Sequence, residues 1–251
     1  MSDTLTLSLR YQQLARDESK RAFWEVVTQT REVPAAETAI IICDMWDHHW
    51  CRGAEQRGAV IARTMNDVVR AARDRGVTII HAPSDTMAFY ERSPARRRAL
   101  EAPPAEPPTP IDRPDPPLPV DASDGGSDTN AGDEVVDASA WTRQTEAIEI
   151  DEDRDVISDN GREVYSVLRH RGIRQVIIMG VHTNMCILGR SFAIKQMVKW
   201  GVPIALCSDL TDSMYNPARP PYVSHEEGTR LIIEFIEKFW CPTILSADLV
   251  G

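Results

Sequence analysis

The segment Gly180-Val181-His182-Thr183-Asn184-Met185-Cys186 leaves an apolar run and delivers a cysteine where a helix is predicted to begin. A thiol at a helix N-terminus sits in a positive field, which lowers its pKa and favours the nucleophilic thiolate. Free backbone N–H groups around Val181, His182 and Cys186 could hold an oxyanion at the same place. Far away in sequence, Asp44 ends a second apolar run, Thr38 to Cys43. The plain alternatives are an inert buried cysteine and a capping or turn aspartate.

For these groups to meet, their runs must be neighbouring strands. Thr38 to Cys43 is uninterrupted and apolar, as in a strand buried on both faces of a parallel sheet. Val60 to Arg75 places Ile61, Met65, Val68, Val69 and Ala72 at helical spacing, with Gly76 as the stop. Val77 to His81 is the next strand, followed by loop-forming Pro83, Ser84 and Asp85. The alternation resumes with a helix at Glu163 to Arg171 and a strand at Gln175 to Gly180. A long helix at Cys186 to Lys199, a strand at Val202 to Cys207 and a last helix at Glu227 to Phe239 follow, and Asp209 and Asp212 are read as opening a loop. Such repeats predict an α/β fold, a doubly wound three-layer sandwich around a mostly parallel sheet. Ligands bind beyond the carboxyl ends of its strands, where Asp44, Asp85, Val181 to Cys186 and Asp209 all fall.

Asp44 at a strand end together with the GVxTNxC pattern of Gly180 to Cys186 resembles the isochorismatase-like cysteine hydrolases, among them nicotinamidases and N-carbamoylsarcosine amidases. The resemblance runs from about Thr38 to Leu245. It implies a six-stranded sheet, a cis peptide between Val181 and His182, and Cys186 attacking an amide or related carbonyl. Asp44 would then serve as general base and afterwards general acid. The family's third residue is a lysine that orients the aspartate. Here no lysine occurs between Lys20 and Lys195, and Ser158 is read at that position. A hydroxyl cannot replace a fixed cation, so the thiolate would depend on the helix dipole, His182 or a stray arginine such as Arg143.

Nicotinamidases in that family also carry Asp-x-His after the second strand; this chain has Asp85-Thr86-Met87. With His48, His49, His81 and His182 lacking ligand spacing, neither metal nor cofactor is expected. The substrate pocket is read as Trp46, His48, His49, Asp85, Tyr90 and Asn184, with packing of surface decoration as the plain alternative for the aromatics. Asp124, Asp128 and Asp133 lack the register of a calcium loop.

With 251 residues, 42% hydrophobic and 26% charged, the chain suits one globular domain with decoration. We read residues 1–36 as an N-terminal extension and 37–250 as the hydrolase domain. An acidic, Pro/Gly-rich insertion at about 101–140 is read as a flexible lid, a simple insertion or both. A net charge of −10 argues against nucleic acid, and Arg96 to Arg98 reads as a solvated helix end. The absence of a long apolar run or leader pattern leads to the expectation of a cytoplasmic protein without membrane contact. The five cysteines, with no CxxC pair, are expected to be reduced. A homo-oligomer is implied by the resemblance alone, with Phe23 and Trp24 as candidate docking residues.

The resulting expectation is a cysteine hydrolase acting on a small-molecule amide or ureido compound. The alternative, supported by the missing lysine, is a catalytically altered or silent relative that binds a metabolite or protein partner.

Overall fold

A computed structural model describes residues 3–129 and 141–250. The segment before the domain forms a hairpin: Thr4–Arg16 (β1) and Ala22–Pro34 (β2) pair antiparallel without a break in register. The alternating elements follow as Thr38–Cys43 (β3), Arg52–Asp74 (α1), Thr78–Ala82 (β4), Pro94–Leu100 (α2), Val156–Ile157 (β5), Gly161–His170 (α3) and Gln175–Val181 (β6). Cys186–Gly189 (α4), Ile194–Lys199 (α5), Ile204–Asp212 (β7), His225–Phe239 (α6), Thr243–Ile244 (β8) and Ala247–Val250 (α7) complete the chain.

The strand order is β2-β1-β8-β7-β6-β3-β4-β5. From β8 to β5 every pairing is parallel, so the sheet of six strands implied by the resemblance is present. The hairpin joins its edge antiparallel through Arg10 and Thr243, making eight strands among the described residues. The extension is thus part of the sheet.

β3 shows why a parallel strand reads as a continuous apolar run. Ala39, Ile41 and Cys43 pack with α3, α5 and α6 through Val164, Leu168, Met197 and Ile232. Ile40 and Ile42 face the other layer, where Met65, Val69 and Ala72 of α1, Leu249 of α7 and Leu5, Leu7 and Leu9 of β1 close the core. With both faces covered, no polar alternation is possible.

Three expected elements differ. The helix predicted over Cys186 to Lys199 breaks at Arg190, whose backbone is extended, and resumes at Ile194. At the break Ser191 packs so closely on α3 that a Cβ at Gly161 would collide with its carbonyl oxygen. The loop expected at Asp209 and Asp212 is strand, because β7 continues past a register shift opposite Ile178 to Gly180 and pairs Asp212 with Val181. The described part of the insertion, residues 101–129, lies against the domain rather than forming a free flap. Val120 is buried in the core, Lys195 pairs with Asp115 at 2.7 Å, Arg219 pairs with Asp121 at 2.6 Å, and Arg57 pairs with Asp128 at 2.7 Å. The remainder of that expectation, residues 130–140 with Asp133, lies outside the described residues. Among the described residues no helix is long and apolar enough to cross a membrane.

Candidate active site

Asp44 and Cys186 come together because β3 and β6 are parallel neighbours that end at the same level, Cys43 opposite Gly180. Only glycine fits at 180. Its φ is +115°, and a Cβ there would strike the carbonyl oxygen of Cys43. Asp44 itself turns out of the strand with φ +50°, a conformation that non-glycine residues adopt mostly at constrained sites. From β6 the chain passes through a cis peptide between Val181 and His182 and enters α4 at Cys186.

The Cys186 thiol lies beside the Asp44 carboxylate, whose charge and hydrogen bonding act on it, and the His182 backbone acts on it in the opposite sense. One Asp44 oxygen accepts the Ser84 N–H at 2.8 Å, and the other accepts Nε of Arg190 at 3.1 Å. Arg190 also donates from Nη2 to Asp85 at 3.0 Å. It stands one helical turn beyond Cys186, and the break after α4 turns it back toward the aspartate. No lysine is needed to bring a cation here.

These contacts set the protonation states. Burial is the largest influence on Asp44 and raises its pKa above the ordinary carboxylate value, against the lowering by Arg190, Cys186 and Ser84. The Cys186 thiol is pushed up to about 12, first by burial and then by the charge and hydrogen bond of Asp44, with Arg190 opposing. This is opposite to the lowering expected from the helix N-terminus. α4 has only four residues, too few for a helix dipole to outweigh an adjacent carboxylate. At neutral pH Cys186 therefore rests as a thiol.

Beside Asp44 lies a cleft of about 130 Å³ lined by Trp46, Asp47, His48, His49, Glu55, Thr145, Val181 and His182, among others. Trp46 stacks on Trp141 at 4.2 Å between ring centroids, and His49 stacks between the Trp46 and Trp50 rings. Trp46 is tied to the backbone by Nε1 donating to Ser84 O at 3.0 Å. His182 is buried and held neutral, its pKa about 3, chiefly by burial and next by His49. Burial also lowers His49, whose Nδ1 accepts the Cys51 N–H at 3.0 Å. Its neutral ring therefore carries its proton on Nε2.

Of the pocket residues expected from sequence, Trp46, His48 and His49 line this cleft and the other three do not. Asp85 is occupied by Arg190. Tyr90 is buried against Ala95 and Ile157, and its oxygen accepts the Gln144 N–H at 2.8 Å. Asn184 clamps Met214, donating to its carbonyl at 2.8 Å and accepting its N–H at 2.9 Å. Ser158 follows β5 as expected, but its hydroxyl donates to Glu163 at 2.6 Å instead of facing Asp44. Arg143 pairs with Glu146, and His81 sits in a buried network with Gln144 and Asp155. Among the described residues no group of three or more His, Cys, Asp or Glu is placed to hold a metal ion.

Sequence reading missed Arg190, Asp47, Glu55 and Trp141. Arg190 was within reach: a residue four positions after a cysteine shares its helix face. Asp47 had no such signal. It accepts from the Thr142 N–H and hydroxyl at 2.9 and 2.6 Å, contacts made across the insertion.

The profile of the Isochorismatase domain matches residues 38–219. Among solved structures, a cysteine hydrolase from Pseudomonas syringae pv. phaseolicola 1448A aligns with 18% identity and a TM-score of 0.53, covering 87% of this chain and 92% of that one. An isochorismatase family protein from Burkholderia thailandensis aligns with 15% identity and a TM-score of 0.48, covering 85% and 93%. At these identities the first likeness bears on fold alone. Comparison with curated protein sequences finds no match.

Proposed function

The chain belongs to the isochorismatase-domain family of hydrolases, and on that premise we propose that it cleaves a carbon–nitrogen bond of a small amide or ureido compound through a covalent intermediate on Cys186. The observation that carries this reading is the convergence of Cys186 and Asp44 at the level ends of β6 and β3, with Arg190 fixing the carboxylate at 3.1 Å.

A thiol with a pKa near 12 does not attack as a standing thiolate. The S–C bond forms as Asp44 takes the thiol proton, and the raised pKa of Asp44 makes it a stronger base than a free aspartate. Within the turn the Thr183 and Met185 N–H groups donate to Asp212 O and His182 O, which leaves those of Asn184 and Cys186 as the donors for the developing oxyanion. Collapse breaks the C–N bond, and the amine leaves with the proton from Asp44. Water then attacks the thioester, gives a proton to Asp44 and releases the acid, and Asp44 returns that proton to sulfur. Arg190 favours the ionised form of Asp44 between steps and holds its carboxylate in place.

The cleft also bears on the substrate. Its charged lining is Asp44, Asp47 and Glu55, His182 and His49 are both shifted toward the neutral form, and no Lys or Arg lines it among the described residues. Nor does the sequence of residues 130–140 contain a cation. Arg190 and Arg57 are each held between two carboxylates. Such a field favours a neutral or cationic amide, flat enough to lie on the Trp46 ring, over an anionic one.

A matched series of neutral, cationic and anionic primary amides and ureides, assayed for ammonia release, tests both parts. Release by the wild type and not by Cys186→Ala is expected, with the anionic member at least about tenfold slower. Release that survives Cys186→Ala contradicts the nucleophile, and a preference for the anion contradicts the substrate class. The competing reading, a catalytically altered binding protein, drew its support from the missing lysine. A guanidinium bonded to Asp44 weakens that support.

A further inference from the structure

β2 closes one side of the sheet and presents an open edge. It is paired along its whole length with β1, and among the described residues no strand lies on its other side. Ten of its thirteen residues are exposed, Val27 and Pro34 are half-buried and Val33 is buried. A long edge strand is a template for further pairing unless something blunts it. The usual devices are absent: β2 contains no lysine, its register with β1 has no bulge, and its one proline stands at the very end. Phe23, Trp24 and Val26 add exposed apolar surface on its two faces.

We infer that β2 is the interface with a second copy of this chain, joined edge to edge in an antiparallel, two-fold pairing that sets Glu25 against the partner's Arg31. The charges select the occupant and the register. β2 carries only three charged side chains, Glu25, Arg31 and Glu32. A two-fold axis through Thr28 makes residues 23–33 face their own copy. It places Glu25 opposite Arg31 twice, Val26 opposite Thr30 twice, and Thr28 opposite itself. All these pairs share faces, so the two sheets continue into one. A shift by one residue on each strand toward either end sets Arg31 against Phe23 or Val27 and leaves Glu25 without a cation. Unlike charges and β-branched residues directly opposite one another each favour an antiparallel pair, and like charges oppose it. A self-complementary edge fits an isologous dimer, in which one patch serves both subunits.

The test is sedimentation equilibrium of the full chain with three variants. The wild type is expected to be dimeric at micromolar concentration. Glu25→Arg and Arg31→Glu each place two like-charge contacts in the interface and should weaken association by roughly tenfold or more. The double variant restores unlike pairs and should recover the dimer. Oxidation of Thr28→Cys should yield a cross-linked dimer, and Thr30→Cys, whose opposite residue is Val26, should not. Circular dichroism confirms that each variant is folded. A monomeric wild type, a dimer indifferent to the single reversals, or a double variant that stays dissociated overturns the proposal.

Discussion

Asp44 and Asp155 are both buried aspartates held by an arginine, yet their surroundings drive them in opposite directions. Asp155 accepts Nε and Nη2 of Arg73 at 2.9 and 2.6 Å, Nε2 of His81 at 3.0 Å and the Asp151 N–H at 2.8 Å. Burial raises its pKa, but these partners outweigh burial and hold it below the ordinary value. Asp44 has one backbone N–H, one guanidinium nitrogen and a thiol, and burial wins. A fully satisfied carboxylate makes a strut, whereas one left short of partners keeps an appetite for a proton. The second arrangement is the one a general base needs.

The comparison can be broken by exchanging each carboxylate for its amide. Asp44→Asn should lower turnover about 100- to 10,000-fold, in line with loss of a general base, and leave the urea midpoint near wild type. Asp155→Asn should do the reverse. It leaves Arg73 buried against a neutral amide, at a cost of about 3–5 kcal/mol measured by urea unfolding, with kcat of the surviving folded fraction little changed. Equal losses of stability in both variants would erase the distinction.

Arg190 sharpens it further. Removing the cation with Arg190→Ala lets the pKa of Asp44 rise further, so the acid limb of kcat/KM should move to higher pH, with turnover down roughly 100-fold. Arg190→Lys should restore part of both. An unmoved acid limb would separate Arg190 from the chemistry.

The pH dependence of stability has opposite signs for the two carboxylates. The folded-state pKa of Asp155 is depressed, so its contribution is present above about 3.9 and is lost as pH falls through the folded value. That of Asp44 is raised, so its contribution is present below about 3.9 and is lost as pH rises through the folded value. His182, neutral in the fold with a pKa near 3, should cost stability as pH falls from about 6.5 toward 3. Replacing it with Asn should flatten the urea midpoint over that window. A smaller effect concerns the thiol. Cys186 is the least buried cysteine, yet it should react slowly with iodoacetamide at pH 7, and faster in Asp44→Asn, where its neighbour's charge is gone.

Much of this was legible from the chain. Four of the six parallel strands, β3, β4, β6 and β7, announced themselves as apolar runs, and the ends of two of them carry the dyad, since strand ends in such sheets converge by topology; β5 and β8, two residues each, are too short to give such a run. Less visible were features made by distant contacts. The hairpin was missed although β1 carries the alternation of a half-buried strand, Leu5, Leu7 and Leu9 buried between exposed Thr4, Thr6 and Ser8; its partner β2, exposed on both faces, carries none. Tyr90 and Asn184 looked like pocket residues because they sit near strand ends, but which way a loop side chain turns depends on partners such as Gln144 and Met214. The pKa of Cys186 was misread because position on a helix was weighed and the adjacent carboxylate was not.

The central claim is a covalent bond to Cys186 made possible by Asp44. An amide substrate found in the series above, mixed with enzyme and quenched in acid within one turnover, tests it by mass spectrometry. The account predicts the substrate's acyl mass on the peptide containing Cys186, absent in Cys186→Ala and scarcely formed in Asp44→Asn. Full turnover with no adduct on that peptide at any time, and with Cys186→Ala still active, would contradict it.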